Sequence, residues 1–284
     1  MEVTITTYSE LEKYFKLFRC GEGVEKINLL VVTSPAGTQK TTLAKKIIKD
    51  NAITISTHTT PFGVYRQLYL HRNEDLILDD VDHIHRDKQM VRLLKALTDS
   101  VKVRVICWHT KAAKTSLDDD AGDDVPTKFE TTSRCLILSN EWETLNAHVD
   151  ALNSRGIVVH FHPTNLEIHR RVKKWFEDDE VYNFIGNNLS FIKRLSMRDY
   201  IEASKMRTAK HVKIDWKRAL FDHWKVDDKT VAVAMLLEDG QLSQKQRIER
   251  FHRITGGSRA TYFRKLEEVR GILANHETLR LREG

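Results

Sequence analysis

The sequence predicts an α/β fold, in which a parallel sheet carries helices on both faces and is followed by an all-helical region. Through residues 1–163, short apolar runs rich in β-branched residues alternate with helical patterns, as is typical of parallel sheets. After Pro163 the strand patterns stop and only helical patterns follow. A chain of 284 residues has room for two or three units, and we expect them at 1–163, 164–225 and 226–284.

Six apolar runs are predicted to be strands: Asn28–Thr33, Ala52–Ser56, Asp75–Leu78, Arg104–Trp108, Arg134–Ser139 and Gly156–Phe161. Helices are predicted around them at Tyr8–Phe18, Lys40–Asp50, Thr60–His71, Lys88–Thr98 and Leu145–Asn153. Beyond Pro163 the predicted helices are Asn165–Phe176, Glu180–Phe184, Asn188–Leu195, Met197–Met206, Asp215–His223, Lys229–Glu238, Ser243–Thr255 and one that begins after Ser258. The acidic segment 111–132 interrupts the alternation and is expected to be a long exposed loop or hairpin.

The charge of the chain is unevenly distributed. Residues 1–150 carry 20 Lys and Arg against 22 Asp and Glu, whereas residues 151–284 carry 26 against 18. A basic face steers anionic partners and supplies the sequence-independent part of nucleic-acid affinity. The alternative is a solvated set of Lys- and Arg-rich helices.

Cysteine usage and hydropathy indicate a cytoplasmic protein. The three cysteines, Cys20, Cys107 and Cys135, have neither paired nor metal-ligand spacing, which fits a reducing compartment. No apolar run approaches the roughly 18 residues of a membrane span. Residues 1–12 are polar and mixed in charge, unlike a secretory signal, so we expect no membrane association.

A polar loop between the first predicted strand of the sheet and the following helix has the features of an anion site. In such a strand–loop–helix unit, backbone N–H groups and the helix dipole favour negative charge. The segment approaches the phosphate-loop pattern G-x-x-x-x-G-K-[ST], although Ser34 and Gln39 replace its two glycines. A polar turn before a surface helix is the alternative. The candidate nucleotide-binding residues are Ser34, Pro35, Ala36, Gly37, Thr38, Gln39, Lys40, Thr41 and Thr42.

A second motif follows about 40 residues later. The apolar strand Asp75–Leu78 ends in Asp79 and Asp80, which is the Walker B pattern. In this frame Lys40 reaches the β and γ phosphates of ATP, and Thr41 and Asp79 hold Mg²⁺. Asp80 stands where the acid that polarises the attacking water is placed. A strand ending in a solvated acidic turn is the alternative, but two motifs in this order predict a P-loop fold.

Two further patterns make residues 25–205 resemble the AAA+ ATPases. Asn140 ends an apolar strand and matches their sensor 1, and Arg155 ends a helix before the last core strand and matches their arginine finger. Arg198 matches sensor 2 in their helical lid, with Arg194 as second choice. A turn asparagine and a helix C-terminal arginine are the alternatives for the first two. The resemblance implies an ATPase with Asp80, Asn140, Arg155 and Arg198 as catalytic residues. It also implies a homo-oligomer, a ring or filament, because the finger acts on the neighbouring subunit's nucleotide.

The last segment has the pattern of a helix-turn-helix. Two helices are joined by Gly256 and Gly257, and the second opens with polar and basic residues. Ile248, Phe251 and Ile254 are expected on one face of the first helix, and Phe263 and Leu266 in the core. The alternative is a helical hairpin used for oligomer contacts. The candidate DNA-binding residues are Ser258, Arg259, Thr261, Tyr262, Arg264 and Lys265.

These expectations combine into an ATP-dependent, DNA-associated AAA+ protein of a prokaryotic host cell or nucleoid. Its role would be DNA replication or recombination, as a helicase, a helicase loader or a transposition-type regulator of a phage or mobile element, with a helicase or recombinase as partner. One alternative is a nucleotide-gated DNA-binding regulator with little or no hydrolysis. Another is a structural AAA+ protein that uses its helical segment only for protein contacts. Lys111, Lys114 and Lys128 are candidates for additional DNA contacts.

Overall fold

A computed structural model describes residues 1–20, 27–48, 52–56, 59–81, 87–108, 125–142 and 152–282, with side chains up to residue 272. The chain divides into two compact units, Met1–Thr164 and Asn165–Gly284. The strands are β1 (Glu2–Ile5), β2 (Leu29–Thr33), β3 (Ala52–Ser56), β4 (Asp75–Asp79), β5 (Arg104–Cys107), β6 (Lys128–Thr131), β7 (Cys135–Ser139) and β8 (Ile157–Phe161). The helices of the first unit are α1 (Tyr8–Arg19), α2 (Lys40–Ile48), α3 (Pro61–Leu70) and α4 (Lys88–Leu97).

The described residues of the second unit form helices and connecting loops, with no strand among them. Its helices are α5 (Asn165–Val172), α6 (Asp179–Asn187), α7 (Met197–Thr208), α8 (Trp216–His223), α9 (Asp228–Glu238), α10 (Gln244–Thr255) and α11 (Arg259–Arg282). The predicted helix Asn188–Leu195 is instead a short 3₁₀ turn at Leu189–Phe191. Nothing within the described residues is a helix long and apolar enough to span a bilayer.

A six-stranded parallel sheet forms the centre of the first unit. Its strand order is β1-β8-β2-β7-β4-β3, and each neighbouring pair runs parallel. Leu29 and Val31 of β2 pack into one core with α3 and α4, whereas Leu30 and Val32 point to the opposite face and are equally inaccessible to solvent. Burial on both faces is what apolar runs in a parallel sheet indicate. The predicted fold class, a P-loop-type α/β sheet followed by a helical region, is confirmed.

Side-chain caps mark the starts of α1, α3 and α4, within one residue of where the sequence predicts these helices to begin. Thr7 and Glu10 form a reciprocal capping box at α1, and Asp87 accepts hydrogen bonds from the first backbone amides of α4. Thr60 caps α3, whose first residue is Pro61. The predicted helix Leu145–Asn153 lies mostly outside the described residues.

One predicted sheet strand lies elsewhere. β5, predicted at Arg104–Trp108, pairs antiparallel with β6 in a separate two-stranded ribbon. β6 falls in the acidic segment predicted as a loop or hairpin, of which residues 109–124, with Lys111 and Lys114, lie outside the described residues. β1, which was not predicted, forms one edge of the parallel sheet.

The three C-terminal helices share a small core of their own. Val233 of α9, Phe251 of α10, and Tyr262 and Leu266 of α11 pack together. Gly256 ends α10 with φ 64°, the left-handed conformation that glycine adopts without strain. Ile254 follows Phe251 by three residues on the same helix but is 63% exposed, so it does not join Phe251 in this core. The division at residues 225/226 stays a prediction.

Candidate nucleotide-binding site

The phosphate loop, residues 34–39, connects the carboxyl end of β2 to the first residue of α2. β7 pairs with both β2 and β4, so Thr33, Ser139 and Asp79 end their strands at the same edge of the sheet. Carboxyl ends of parallel strands are where open α/β sheets bind ligands. The topology therefore brings two acidic motif residues and a strand-end asparagine to the loop.

The side chains at this edge contact one another directly. The Lys40 ammonium donates to Asn140 Oδ1 at 2.7 Å and lies 3.8 Å from Asp80 Oδ1. Thr41 Oγ1 donates to Asp79 Oδ1 at 2.7 Å. Lys40 is 5% exposed, whereas the Asp80 side chain is 49% exposed. A buried cation, two carboxylates, a hydroxyl and an amide thus meet in one cluster.

The donor set fits a magnesium ion. Thr41 and Asp79 supply a hydroxyl and a carboxylate oxygen that already lie 2.7 Å apart. Hard oxygen donors of this kind, few in number, are how proteins hold Mg²⁺ beside the phosphates of a substrate. The predicted roles of Thr41 and Asp79 as Mg²⁺ ligands are compatible with this geometry.

The backbone of the loop is unusual at the glycine replacement. Gln39 has φ 60° and Gly37 has φ 79°, both in the left-handed region. A residue with a Cβ pays roughly 1–2 kcal/mol for that conformation, whereas glycine adopts it freely. Gln39 therefore keeps the shape of a glycine-containing loop at an energetic cost. Asp80 is also left-handed, with φ 49°.

Ser34 replaces the other glycine of the motif, and its hydroxyl stabilises the interior of the loop. Its hydroxyl lies 2.7 Å from the Thr38 hydroxyl, which donates to the Pro35 carbonyl at 3.0 Å. Ser34 and Thr38 are 1% and 2% exposed. On the outer side, Tyr8 of α1 donates from its hydroxyl to the Thr38 carbonyl at 3.0 Å. Sequence reasoning missed Tyr8, because neither its spacing nor its neighbours distinguish it from an ordinary core tyrosine.

A second missed feature lies directly below the loop. His160 Nδ1 lies 2.9 Å from Thr33 Oγ1, and its Nε2 contacts the Glu2 carboxylate. This chain of hydrogen bonds crosses β1, β8 and β2. It ties the edge strand to the residue that precedes the phosphate loop.

Arg155 lies far from the loop of its own chain. It directly precedes Gly156 at the amino end of β8, opposite to the edge that carries the loop. Its side chain is exposed, and the guanidinium donates to the Lys95 carbonyl. Arg194 and Arg198 are exposed in the second unit. The finger and sensor 2 assignments stay predictions.

The candidate DNA-binding residues at the start of α11 divide into two groups. Arg259 and Arg264 are exposed, and Ser258 accepts a hydrogen bond from the Thr261 amide as the helix begins. Tyr262 is 1% exposed and packs on Phe251, so its predicted contact with DNA is wrong. The pattern did not reveal this, because an aromatic residue between basic ones suits either role.

Lys265 is already engaged within the chain. It forms ion pairs with Glu268 at 2.8 Å and with Asp227 at 3.1 Å. Hydrogen bonding to Glu268, outweighing the opposing effect of burial, raises the pKa of Lys265, and Asp227 adds to the increase. Its predicted phosphate contact therefore competes with two carboxylates.

No protein-family model matches the chain. A curated relative is the uncharacterized 36.7 kDa protein of the nrdC-mobD intergenic region of Enterobacteria phage T4, which is 26% identical over 203 residues. The match covers 61% of this chain, and the chain spans only 61% of the length of that relative.

Several solved structures resemble the chain loosely. The RuvB Holliday junction branch migration motor of Thermotoga maritima is 15% identical, with 88% of this chain and 82% of that one covered and a TM-score of 0.46. NtrX from Brucella abortus in complex with ATP is 10% identical, with 93% and 68% covered and a TM-score of 0.43. PCH-2 of C. elegans is 10% identical, with 76% and 65% covered and a TM-score of 0.33. With all three TM-scores below 0.5, the fold assignment rests on the sheet order and the phosphate loop instead.

Proposed function

We propose that this protein is an ATP-dependent, DNA-associated ATPase of the AAA+ type that acts in DNA replication or recombination. The observation that carries the proposal is the convergence of Lys40, Thr41, Asp79, Asp80 and Asn140 beside a phosphate loop. These residues come from the carboxyl ends of two strands, β4 and β7, and from the start of α2. Together they supply the groups that phosphoryl transfer requires. A helicase, a helicase loader or a transposition-type regulator would each fit this chemistry.

The geometry supports a separate role for each of these side chains. Lys40 exchanges its contact with Asn140 for the β and γ phosphates, and the loop amides donate to the same phosphates. Thr41 and Asp79 would hold Mg²⁺, and the ion would supply positive charge beside the phosphates. Asp80, half exposed, polarises the attacking water, and the released Asn140 orients it. Arg198 is proposed as a further catalytic residue, in the role of sensor 2.

A phage setting is part of the proposal. The similarity to a protein of phage T4 supports it, and the net charge of +6 supports a nucleic-acid partner. Arg155 at the far end of the sheet supports a homo-oligomer in which one copy completes the site of the next. A helicase or recombinase is the proposed protein partner.

Replacing Lys40 tests the enzymatic proposal. Lys40→Ala is expected to lower ATP turnover by roughly 10²–10³-fold, because it removes a preorganised cation that faces developing negative charge. The measurement is steady-state phosphate release with and without DNA. Lys45→Ala, which removes an exposed lysine from the same helix, is the matched control and should turn over like wild type. Equal nucleotide binding and no turnover in wild type and Lys40→Ala alike would refute the ATPase.

A nucleotide-gated DNA-binding regulator is the second candidate. It is favoured by the left-handed Gln39 and by the engagement of Lys40 with Asn140 and Asp80, which ATP must displace. Such a protein would bind DNA with an affinity that depends on nucleotide, yet show no turnover. DNA-stimulated turnover that Lys40→Ala abolishes favours the motor instead.

The start of α11 is proposed to contact DNA phosphates. Arg259→Ala and Arg264→Ala should each weaken binding about equally on all sequences and reduce the slope of log affinity against log salt by roughly 1. Arg270→Ala, an exposed arginine further along the same helix, is the control. Fluorescence anisotropy over a salt series provides the readout. Failure of the wild-type protein to bind DNA at any salt concentration would instead favour helices used for protein contacts.

A further inference from the structure

We propose that Tyr8 is a positioning residue for the phosphate loop. Its hydroxyl fixes the Thr38–Gln39 peptide in the orientation that presents the Gln39 amide to the nucleotide, and so compensates for a glycine that the loop lacks. The inference rests on the proposed nucleotide-binding function and concerns the same site. It adds α1 to the elements that shape the loop.

The position of the Tyr8 hydroxyl is tightly determined. Tyr8 is 3% exposed, and its ring packs edge-on against Phe161 with centroids 5.0 Å apart. It is the first residue of α1 and directly follows Thr7, whose capping box with Glu10 fixes where the helix begins. The packed ring therefore holds the hydroxyl in one place, 3.0 Å from the Thr38 carbonyl oxygen. If that carbonyl rotated away, the hydroxyl could not move with it.

Peptide planarity carries this constraint to Gln39. In a trans peptide the carbonyl oxygen and the following N–H point in opposite directions. Because Tyr8 holds the Thr38 carbonyl toward α1, the Gln39 amide points away from α1. An amide held in this way costs no reorganisation when an anion arrives, which is the general advantage of preorganised donors.

The hydrogen bond from Tyr8 to the Thr38 carbonyl, called the anchor below, matters because the backbone of Gln39 is strained. Its φ of 60° is unfavourable for a residue with a Cβ, and rotation of the preceding peptide would relieve that strain. Thr38 is held on both sides against such a rotation. Its carbonyl accepts from Tyr8, and its hydroxyl is bonded to the Pro35 carbonyl and lies beside Ser34.

The test is a Tyr8→Phe substitution, which keeps the ring and removes the hydroxyl. Mg-ATP binding should weaken roughly threefold to tenfold, the range that one net hydrogen bond provides. Tyr14→Phe, at a half-buried tyrosine of the same helix, is the matched control and should bind like wild type. Calorimetric titration of the full chain gives the affinities, and thermal melts without nucleotide report on folding.

A second variant separates positioning from packing. Gln39→Gly removes the strain that the anchor opposes, so Gln39→Gly should restore most of the affinity lost in Tyr8→Phe. No loss in Tyr8→Phe, while wild type binds Mg-ATP, overturns this inference and leaves the proposed function standing. A loss without rescue assigns Tyr8 a structural role and also overturns it. A wild-type chain that binds no Mg-ATP refutes the proposed function and this inference together.

Discussion

Arg155→Ala is expected to lower ATP turnover of the assembled protein by about 10³-fold or more, the effect typical of losing an arginine finger. Arg155 precedes β8, and the phosphate loop follows β2, which runs parallel to β8. The length of a five-residue strand, roughly 16 Å, separates them within one chain. An arginine side chain cannot cross that distance, so its action requires a neighbouring copy.

Mixing subunits gives the sharpest version of this test. Lys40→Ala and Arg155→Ala chains should each be nearly inactive alone, yet a mixture should regain activity wherever an intact loop meets an intact arginine. Arg92→Ala, which removes an exposed arginine from α4, is the control and should behave as wild type. Full turnover by Arg155→Ala alone would show that the finger assignment is wrong.

Asp75→Ala should destabilise the first unit by about 3–5 kcal/mol, because it leaves a buried cation without its partner. Asp75 accepts from Arg134 Nε at 2.9 Å and pairs with its terminal nitrogen at 2.5 Å, with side chains only 12% and 10% exposed. Arg104 lies nearby, where burial lowers the pKa of its guanidinium and Asp75 opposes that shift. Removing the Asp75 carboxylate takes away the acid that pairs with the buried Arg134 guanidinium, and it leaves Asp99 to favour the charged form of Arg104.

Urea unfolding followed by tryptophan fluorescence, fitted with a transition for each unit, measures this loss. Asp179→Ala is the matched control, since it removes an acid from an exposed pair with Lys173 in the second unit. Water already solvates that pair, so the change should be far smaller. A similar unfolding midpoint for Asp75→Ala and wild type would contradict the assigned importance of the buried pair.

The parallel sheet and the convergence of its motif residues could be predicted from the sequence because both follow from strand order. Apolar runs that end in Asp79 and Asn140 place those side chains at one edge whatever the detailed packing. β5 could not be assigned correctly, because its alternation of Arg104 and Ile106 with exposed residues fits either sheet. β1 has four residues, of which only Ile5 is fully buried, too short a pattern to recognise.

Contacts that depend on tertiary packing could not be predicted from the sequence. The hydroxyl of Tyr8 meets the loop only because α1 lies against β8, and Tyr262 is buried only because α10 presents Phe251 to it. Gln39 could be recognised as a departure from the motif, but its left-handed backbone could not. The positions of side chains at the ends of strands were therefore more predictable than positions that depend on which helix packs against which element.

The strand order also constrains how the protein emerges from the ribosome. Among the described residues, β1 has β8 as its single neighbour in the sheet, and Glu2 pairs with Val158. β1 therefore cannot form its sheet pairing until β8 has been synthesised. β2 likewise pairs only with β7 and β8. Partnerships this distant in sequence fold slowly and leave apolar strands open during synthesis. We therefore expect the parallel sheet to be completed only after residue 161 has been synthesised, whereas α9, α10 and α11 pack on one another within a short stretch of the chain.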